Sequence, residues 1–117
     1  MADMAQAQAT VMESVTVPML DGQFAALCDF VFNVGRSNFR RSTLLTTINA
    51  GRHELVEGQF RRWVLAGGKP WPGLVTRRER EIELYFDGLP RPRGEPPVGD
   101  DLSPVDIRVG EVTRGPQ

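Results

Sequence analysis

The sequence predicts an all-α domain of about four helices with a proline-rich tail. Three observations predict it. Apolar residues recur at spacings of three and four through the middle of the chain, the period of one helix face. Glycines and small polar residues fall where those stretches would stop and start. Both tryptophans, all six phenylalanines and the only tyrosine lie within residues 20–88, so a core can form there and nowhere else.

The first of the four helices is predicted over 22–33, where Phe24, Leu27, Cys28, Val31 and Phe32 share a face. Asp21 is placed to cap its start and Gly35 to end it. A second helix is expected over 42–50, with Ser42 as cap, Leu44, Leu45 and Ile48 inward, and Asn49-Ala50-Gly51 as its stop. The third spans 53–65, turning Leu55, Val56, Phe60, Trp63 and Val64 inward before Gly67-Gly68. The fourth covers 74–87 with Ile82, Tyr85 and Phe86 inward, and ends before Gly88. Gly67 to Pro72 is too rich in glycine and proline for helix and reads as a structured loop.

Outside this zone the signals thin. Ala5–Ser14 is rich in alanine and glutamine and can be helical, but its apolar content is low, so it needs something to pack on. Proline density after Leu89 prevents a helix from continuing and sets a domain boundary near Gly88. Val105, Ile107 and Val109 alternate with polar residues, a weak strand signal without an evident partner, so 89–117 reads as a mobile tail. Residues 1–19, 20–88 and 89–117 carry net charges of −2, +2 and −1.

Composition excludes several function classes. A net charge of −1 gives no broad pull toward nucleic acid, and acidic residues interleave the arginines Arg36, Arg40, Arg41, Arg61 and Arg62. One cysteine, Cys28, allows no intrachain disulfide and sits among apolar residues as a buried thiol. His53 has no second ligand at metal spacing, so neither a metal nor a cofactor is expected. No apolar run reaches the ~18 residues of a membrane span. The first residues show no secretory signal, which makes the cytoplasm the expected compartment.

Four blocks carry a resemblance. They are Phe30-Val31-Phe32-Asn33-Val34-Gly35, Asn38 to Leu45, Phe60 to Lys69 (Phe-Arg-Arg-Trp-Val-Leu-Ala-Gly-Gly-Lys), and Pro72 to Glu81 (Pro-Gly-Leu-Val-Thr-Arg-Arg-Glu-Arg-Glu). In order and spacing they resemble the C-terminal, helical lobe of phage-type lysozymes, the endolysins of glycoside hydrolase family 24, in their lambdoid-prophage form. The resemblance covers residues 18–88 and is silent on the tail.

That family cleaves the β-1,4 bond between N-acetylmuramic acid and N-acetylglucosamine in peptidoglycan. The resemblance therefore implies a two-lobed fold with the saccharide in the cleft between lobes. It also implies release from the bacterial host cytoplasm to act at the cell wall. The family's catalytic glutamate lies in the N-terminal lobe, followed by a β-hairpin with a glycine-rich turn. Neither the Glu-Gly pair nor a Thr-Ile-Gly-x-Gly-His type hairpin has a counterpart in residues 1–19 or after 88. The Ala-Gln-rich start corresponds to the helix that links the lobes. Glycosidic cleavage needs a proton donor and a carboxylate or positioned water on the other side of the sugar. Glu13 is the only glutamate near the start and reads as a solvent-facing charge, so no catalytic residue is identifiable and the chain is expected to be inactive alone.

By resemblance the cleft would be lined by Asn33, Arg77, Arg78 and Trp71. Arg78 is the first candidate to reach a catalytic carboxylate, then Arg77; the alternative is pairing with Glu79, Glu81 and Glu83 along the helix surface. Without the small lobe, an arginine that met it should be solvent-exposed. Asn33 either faces the cleft or caps its helix next to Gly35. Trp71, in the Gly-Pro loop, could stack on a sugar, whereas Trp63 belongs to the core. Three partners follow: peptidoglycan, a separate N-terminal lysozyme lobe, or a second copy covering the exposed half-cleft. The alternative to an enzyme fragment is a non-catalytic module that binds peptidoglycan or a partner through that face.

Overall fold

The computed structural model describes residues 3–92 and 101–111. Six helices and one short hairpin follow in order: α1 Met4–Ser14, α2 Asp21–Val34, α3 Arg36–Arg40, α4 Thr43–Asn49, α5 Val56–Arg61, strands β1 Leu65–Ala66 and β2 Lys69–Pro70, and α6 Pro72–Tyr85. A 3-10 turn, His53–Leu55, leads into α5. The all-α expectation holds, with six helices among the described residues where about four were anticipated.

Helix α2 is the centre of the lobe. Its predicted face is buried at Leu27, Cys28 and Val31, but Ala26, Phe30 and Val34 are buried too. One stripe was expected; α1, α3 and α6 cover others, because each packs on α2. Phe30 is the hub of the aromatic core, meeting Phe39, Phe60 and Trp63 edge-on at centroid distances of 6.2, 5.6 and 5.3 Å. Such pairs add ~0.5–1.5 kcal/mol each beyond area burial. Leu20, not Asp21, is the N-cap of α2, and Asp21 is its first-turn acid, complementing the helix dipole. Where α2 starts, a side chain at Gly22 would collide with the carbonyl of Leu84, so glycine is what lets α2 and α6 approach there.

Helix α1 finds the surface it needed. Asp3 and Gln6 form a capping box, and Ala7, Thr10 and Val11 are buried against the lobe. Asn49 fastens the link that follows: its Nδ2 donates to the Ser14 carbonyl at 3.0 Å and its Oδ1 accepts from Thr16 N at 2.8 Å. Ser42 caps α4 as expected, its Oγ accepting from Leu45 N at 3.0 Å.

The expected 53–65 helix is corrected to a 3-10 turn plus a six-residue helix, and the reason lies in the tail. The carbonyl of Arg62 accepts from Val105 N at 2.6 Å, and Leu65 exchanges bonds with Val105 and Ile107 (3.3 and 2.9 Å). These groups are committed to strand-like partners and leave the helical ladder. Gly67 and Gly68, at φ +63° and +79°, make the tight turn between β1 and β2. The loop expected at 67–72 is thus a two-stranded hairpin, after which Pro72 opens α6 at its first position.

The described part of the tail, 101–111, packs on the lobe where a mobile tail was expected. Val105 is buried, and Leu65 and Asp106 form a parallel bridge. Glu111 accepts from Thr43 N and from Thr43 Oγ1, both at 2.6 Å, and so caps α4 from across the molecule. Arg62, only 4% exposed, donates to Glu111 Oε1 at 2.7 Å, Gln59 Oε1 at 3.0 Å and the Ser103 carbonyl at 2.9 Å. The remainder of the proline-rich stretch, residues 93–100, lies outside the described residues.

Candidate functional site

The face between α2 and α6 gathers the predicted cleft residues. Asp29 and Asn33 lie one turn apart on α2, and Arg77, Arg78 and Glu81 lie within one turn of α6. Arg78 and Glu81 are fully buried. Arg78 Nη2 donates to Asn33 Oδ1 at 2.5 Å and to Glu81 Oε2 at 3.2 Å, and Nη1 donates to the Trp63 carbonyl at 3.4 Å. Its Nε stands 2.8 Å from Glu81 Oε1, and the guanidinium lies 5.0 Å from the Phe30 ring centroid. Arg77 stays half-buried and donates to Asp29 Oδ1 at 3.4 Å.

The electrostatics follow from burial. Loss of water pushes the Glu81 carboxyl up to about 9, the Asp29 carboxyl adds to this, and attraction to Arg78 opposes it. Burial also lowers the Arg78 guanidinium from its ordinary value, with Glu81 opposing. An arginine remains charged even so, because its reference value is far above neutrality.

Each predicted site residue can now be placed. Arg78 is inside the protein, not exposed, and it meets Glu81 in the core where surface pairing had been the alternative. Asn33 spends its side-chain oxygen on Arg78, inside α2 and not as a terminal cap. Trp71 is 52% exposed at the start of α6, and its Nε1 donates to the Ala66 carbonyl at 2.9 Å. Trp63 is buried in the core. Glu13 is exposed and pairs with Arg40 at 3.5 Å. Cys28 is a buried thiol pushed up to about 11 by desolvation. His53 Nδ1 is 2.8 Å from the Tyr85 hydroxyl. Among the described residues, no group of three or more His, Cys, Asp or Glu could hold a metal ion.

Sequence reasoning missed Asp29 as a member of this cluster and placed Glu81 on the helix surface, not in the core. The available signal was spacing: Asp29 is four residues before Asn33, and Glu81 three after Arg78. An apolar groove of about 330 Å³ adjoins the cluster, lined in part by Met4, Phe24, Cys28, Asp29, Arg80 and Leu84.

A helical domain with a buried arginine–glutamate pair beneath a half-open arginine is the arrangement found here, and its backbone is similar to that of lysozymes. It superposes on a P22 lysozyme mutant with a TM-score of 0.67 at 32% identity, covering 73% of this chain and 57% of that one. The muramidase domain of SpmX from Asticcacaulis excentricus gives 0.66 at 29% identity, over 71% and 59% of the two chains. The model of the phage lysozyme family matches residues 1–81, and the chain belongs to that family.

Curated relatives agree. The endolysin of Bacillus phage PZA is 42% identical over 81 residues, which are 69% of this chain and 31% of that protein. The SAR-endolysin of Bacteriophage PS119 is 59% identical over 63 residues, 54% and 38% of the two. That of Escherichia phage Mu is 40% identical over 83 residues, 71% and 48%. The chain therefore spans about a third to a half of the length of these relatives. No helix among the described residues is long and apolar enough to cross a membrane.

Proposed function

We propose that this chain is the C-terminal lobe of an endolysin of glycoside hydrolase family 24 type and contributes one wall of a cleft that hydrolyses the β-1,4 bond between N-acetylmuramic acid and N-acetylglucosamine. The observation that carries the reading is the α2–α6 face in a chain of the phage lysozyme family: Arg77 is presented half-open over a buried Arg78–Glu81–Asn33 network. Arg77 is the residue that meets a carboxylate or substrate from the opposite side, through its planar donor fork. Arg78 acts from beneath by fixing Asn33 and the turn of α6 that bears Arg77. Trp71 offers an exposed ring for a sugar. The general acid comes from a separate N-terminal lobe, since among the described residues the two carboxyls of this face are committed elsewhere, Glu81 buried against Arg78 and Asp29 paired with Arg77. The lobe acts on peptidoglycan at the cell wall, following residence in the host cytoplasm.

The experiment is a turbidity assay on chloroform-treated Gram-negative cells. The purified chain alone is expected to leave them turbid, and addition of a separately expressed endolysin N-terminal lobe to clear them faster than that lobe does alone. Arg77→Ala should abolish the gain. Clearing by the chain alone would place the acid within it, with Glu13 the first to replace; no gain on mixing would overturn the split-cleft reading.

A further inference from the structure

The tail segment 101–111 lies beyond residues 1–81, the part that matches the phage lysozyme family. Its centre completes the β1–β2 hairpin. That hairpin pairs only Leu65 with Pro70 and Ala66 with Lys69, and two strands alone are marginal in water. Pro70 has no N–H to give to β1. The tail supplies a third strand: Ile107 N donates to the Leu65 carbonyl at 2.9 Å, and Leu65 N donates to the Val105 carbonyl at 3.3 Å. At the hairpin tip, Gly67 and Gly68 take φ of +63° and +79°, and glycine loses the most backbone freedom on folding. Asp106 fixes this tip. Its Oδ2 accepts from Gly68 N at 2.6 Å and its Oδ1 from Arg108 N at 2.8 Å. The Arg108 and Gly68 amides hold the Asp106 carboxyl below its ordinary range, so both bonds are made to a charged acceptor. The Arg108 guanidinium lies over Gly67, where an added side chain would meet it at 3.2 Å.

The other end of the hairpin leads into Trp71. Its N donates to the Val64 carbonyl at 3.1 Å, and its carbonyl accepts from Leu74 N and Val75 N at 3.0 and 3.2 Å in the first turn of α6. Helix α6 therefore fixes the Trp71 backbone. The indole is fixed from the hairpin, its Nε1 donating to the carbonyl of Ala66, the residue next to the Gly67-Gly68 tip. Because the ring is exposed, packing orients it far less than it orients buried Trp63. A short continuous path thus joins the Asp106 carboxylate, the Gly68 amide, the turn, the Ala66 carbonyl and the indole N–H.

We propose that Asp106 is a positioning residue for a sugar subsite at Trp71: by fixing the Gly67-Gly68 tip it fixes the Ala66 carbonyl that aims the indole. The ligand class is a β-1,4-linked amino sugar, which stacks on the ring through its C–H face. Asp106 does not touch the sugar and acts only through the hairpin. The sugar rests on the function proposed above, in which Trp71 offers its ring; the coupling of Asp106 to the indole does not.

The test follows the tryptophan indole N–H signals of the isotope-labelled full chain by NMR, with the tetramer of β-1,4-linked N-acetylglucosamine as the probe. Asp106→Ala should speed hydrogen exchange at the Gly68 amide and the Trp71 indole by about fivefold, the equivalent of roughly one hydrogen bond. The Trp63 indole and the amides of α2 should not change. The variant should also need about fivefold more tetramer than the wild type to shift the Trp71 signal halfway. Asp106→Asn keeps an acceptor for only one of the two amides and should fall between; it decides by the same signals if Asp106→Ala does not fold. A Trp71 indole that ignores the variant while the Gly68 amide responds would overturn the proposal. So would equal acceleration at Trp63 and in α2, which would mark a general loss of stability. If the wild type binds the tetramer but its Trp71 response is the same in the variant, the role of Asp106 falls and the function proposed above stands. A wild-type Trp71 signal that ignores the tetramer removes the sugar subsite itself, whatever the exchange rates show.

Discussion

Removing Glu81 should cost far more stability than removing Arg78, although they are two halves of one contact. Both side chains have no solvent exposure, and their closest approach is 2.8 Å. Glu81→Leu leaves a guanidinium that cannot shed its charge, held only by Asn33 Oδ1, the Trp63 carbonyl and the more distant Asp29. Stranding a buried charge costs ~3–5 kcal/mol. Arg78→Met leaves a carboxyl that already favours its neutral form, so the loss is mainly of hydrogen bonds to buried groups, ~1–3 kcal/mol. Methionine also keeps most of the packing against Phe30. With a urea slope of ~2 kcal/mol per molar, Glu81→Leu should lower the midpoint by ~1.5–2.5 M and Arg78→Met by roughly half of that. The double variant should recover part of the loss, because no unpaired charge remains. Equilibrium urea denaturation followed by tryptophan fluorescence and circular dichroism measures all three. The reasoning is refuted if Glu81→Leu costs no more than Arg78→Met, or if the double variant loses the sum of both.

The pH dependence of stability follows from the same carboxyl. Its folded value, about 9, lies above that of an unfolded glutamate, so the folded chain keeps a proton that the unfolded chain has released. Stability should therefore fall as pH rises from 5 to 8, by at most ~1.4 kcal/mol per unit, and Glu81→Gln should flatten that slope; urea midpoints across the range provide the check, and a wild-type slope equal to that of the variant would contradict it. On the other side of the lobe, Glu111→Ala removes the cap from α4 and a partner from buried Arg62, which should cost ~1–3 kcal/mol and speed amide exchange at Thr43. Unchanged exchange at Thr43 would mean that the tail does not hold α4.

Much of the fold was legible because it is written locally. The cap at Ser42, the stop at Gly35, the buried stripes of α4 and α6 and the turn at Gly67-Gly68 depend on neighbours within a few residues. The family, too, was legible in four short blocks of sequence, Phe30–Gly35 among them. What failed locally failed for a tertiary reason. Residues 53–65 have a helical pattern, yet Arg62 and Leu65 give their backbone groups to Val105 and Ile107, some forty residues away. The alternation at 105–109 was visible as a strand without a partner, and only folding supplied one.

The cluster at the candidate site divides in the same way. The sequence by itself determined which charges lie on one face of α6 and one face of α2, since helical spacing fixes that. Tertiary structure alone decided that Arg78 goes inside while Arg77 stays half-open against Asp29, and that Glu81 becomes a core residue against Arg78. The energy of a charge depends on the water and the counter-charges around it. Those are set when two helices close on each other, not by the order of residues along either one.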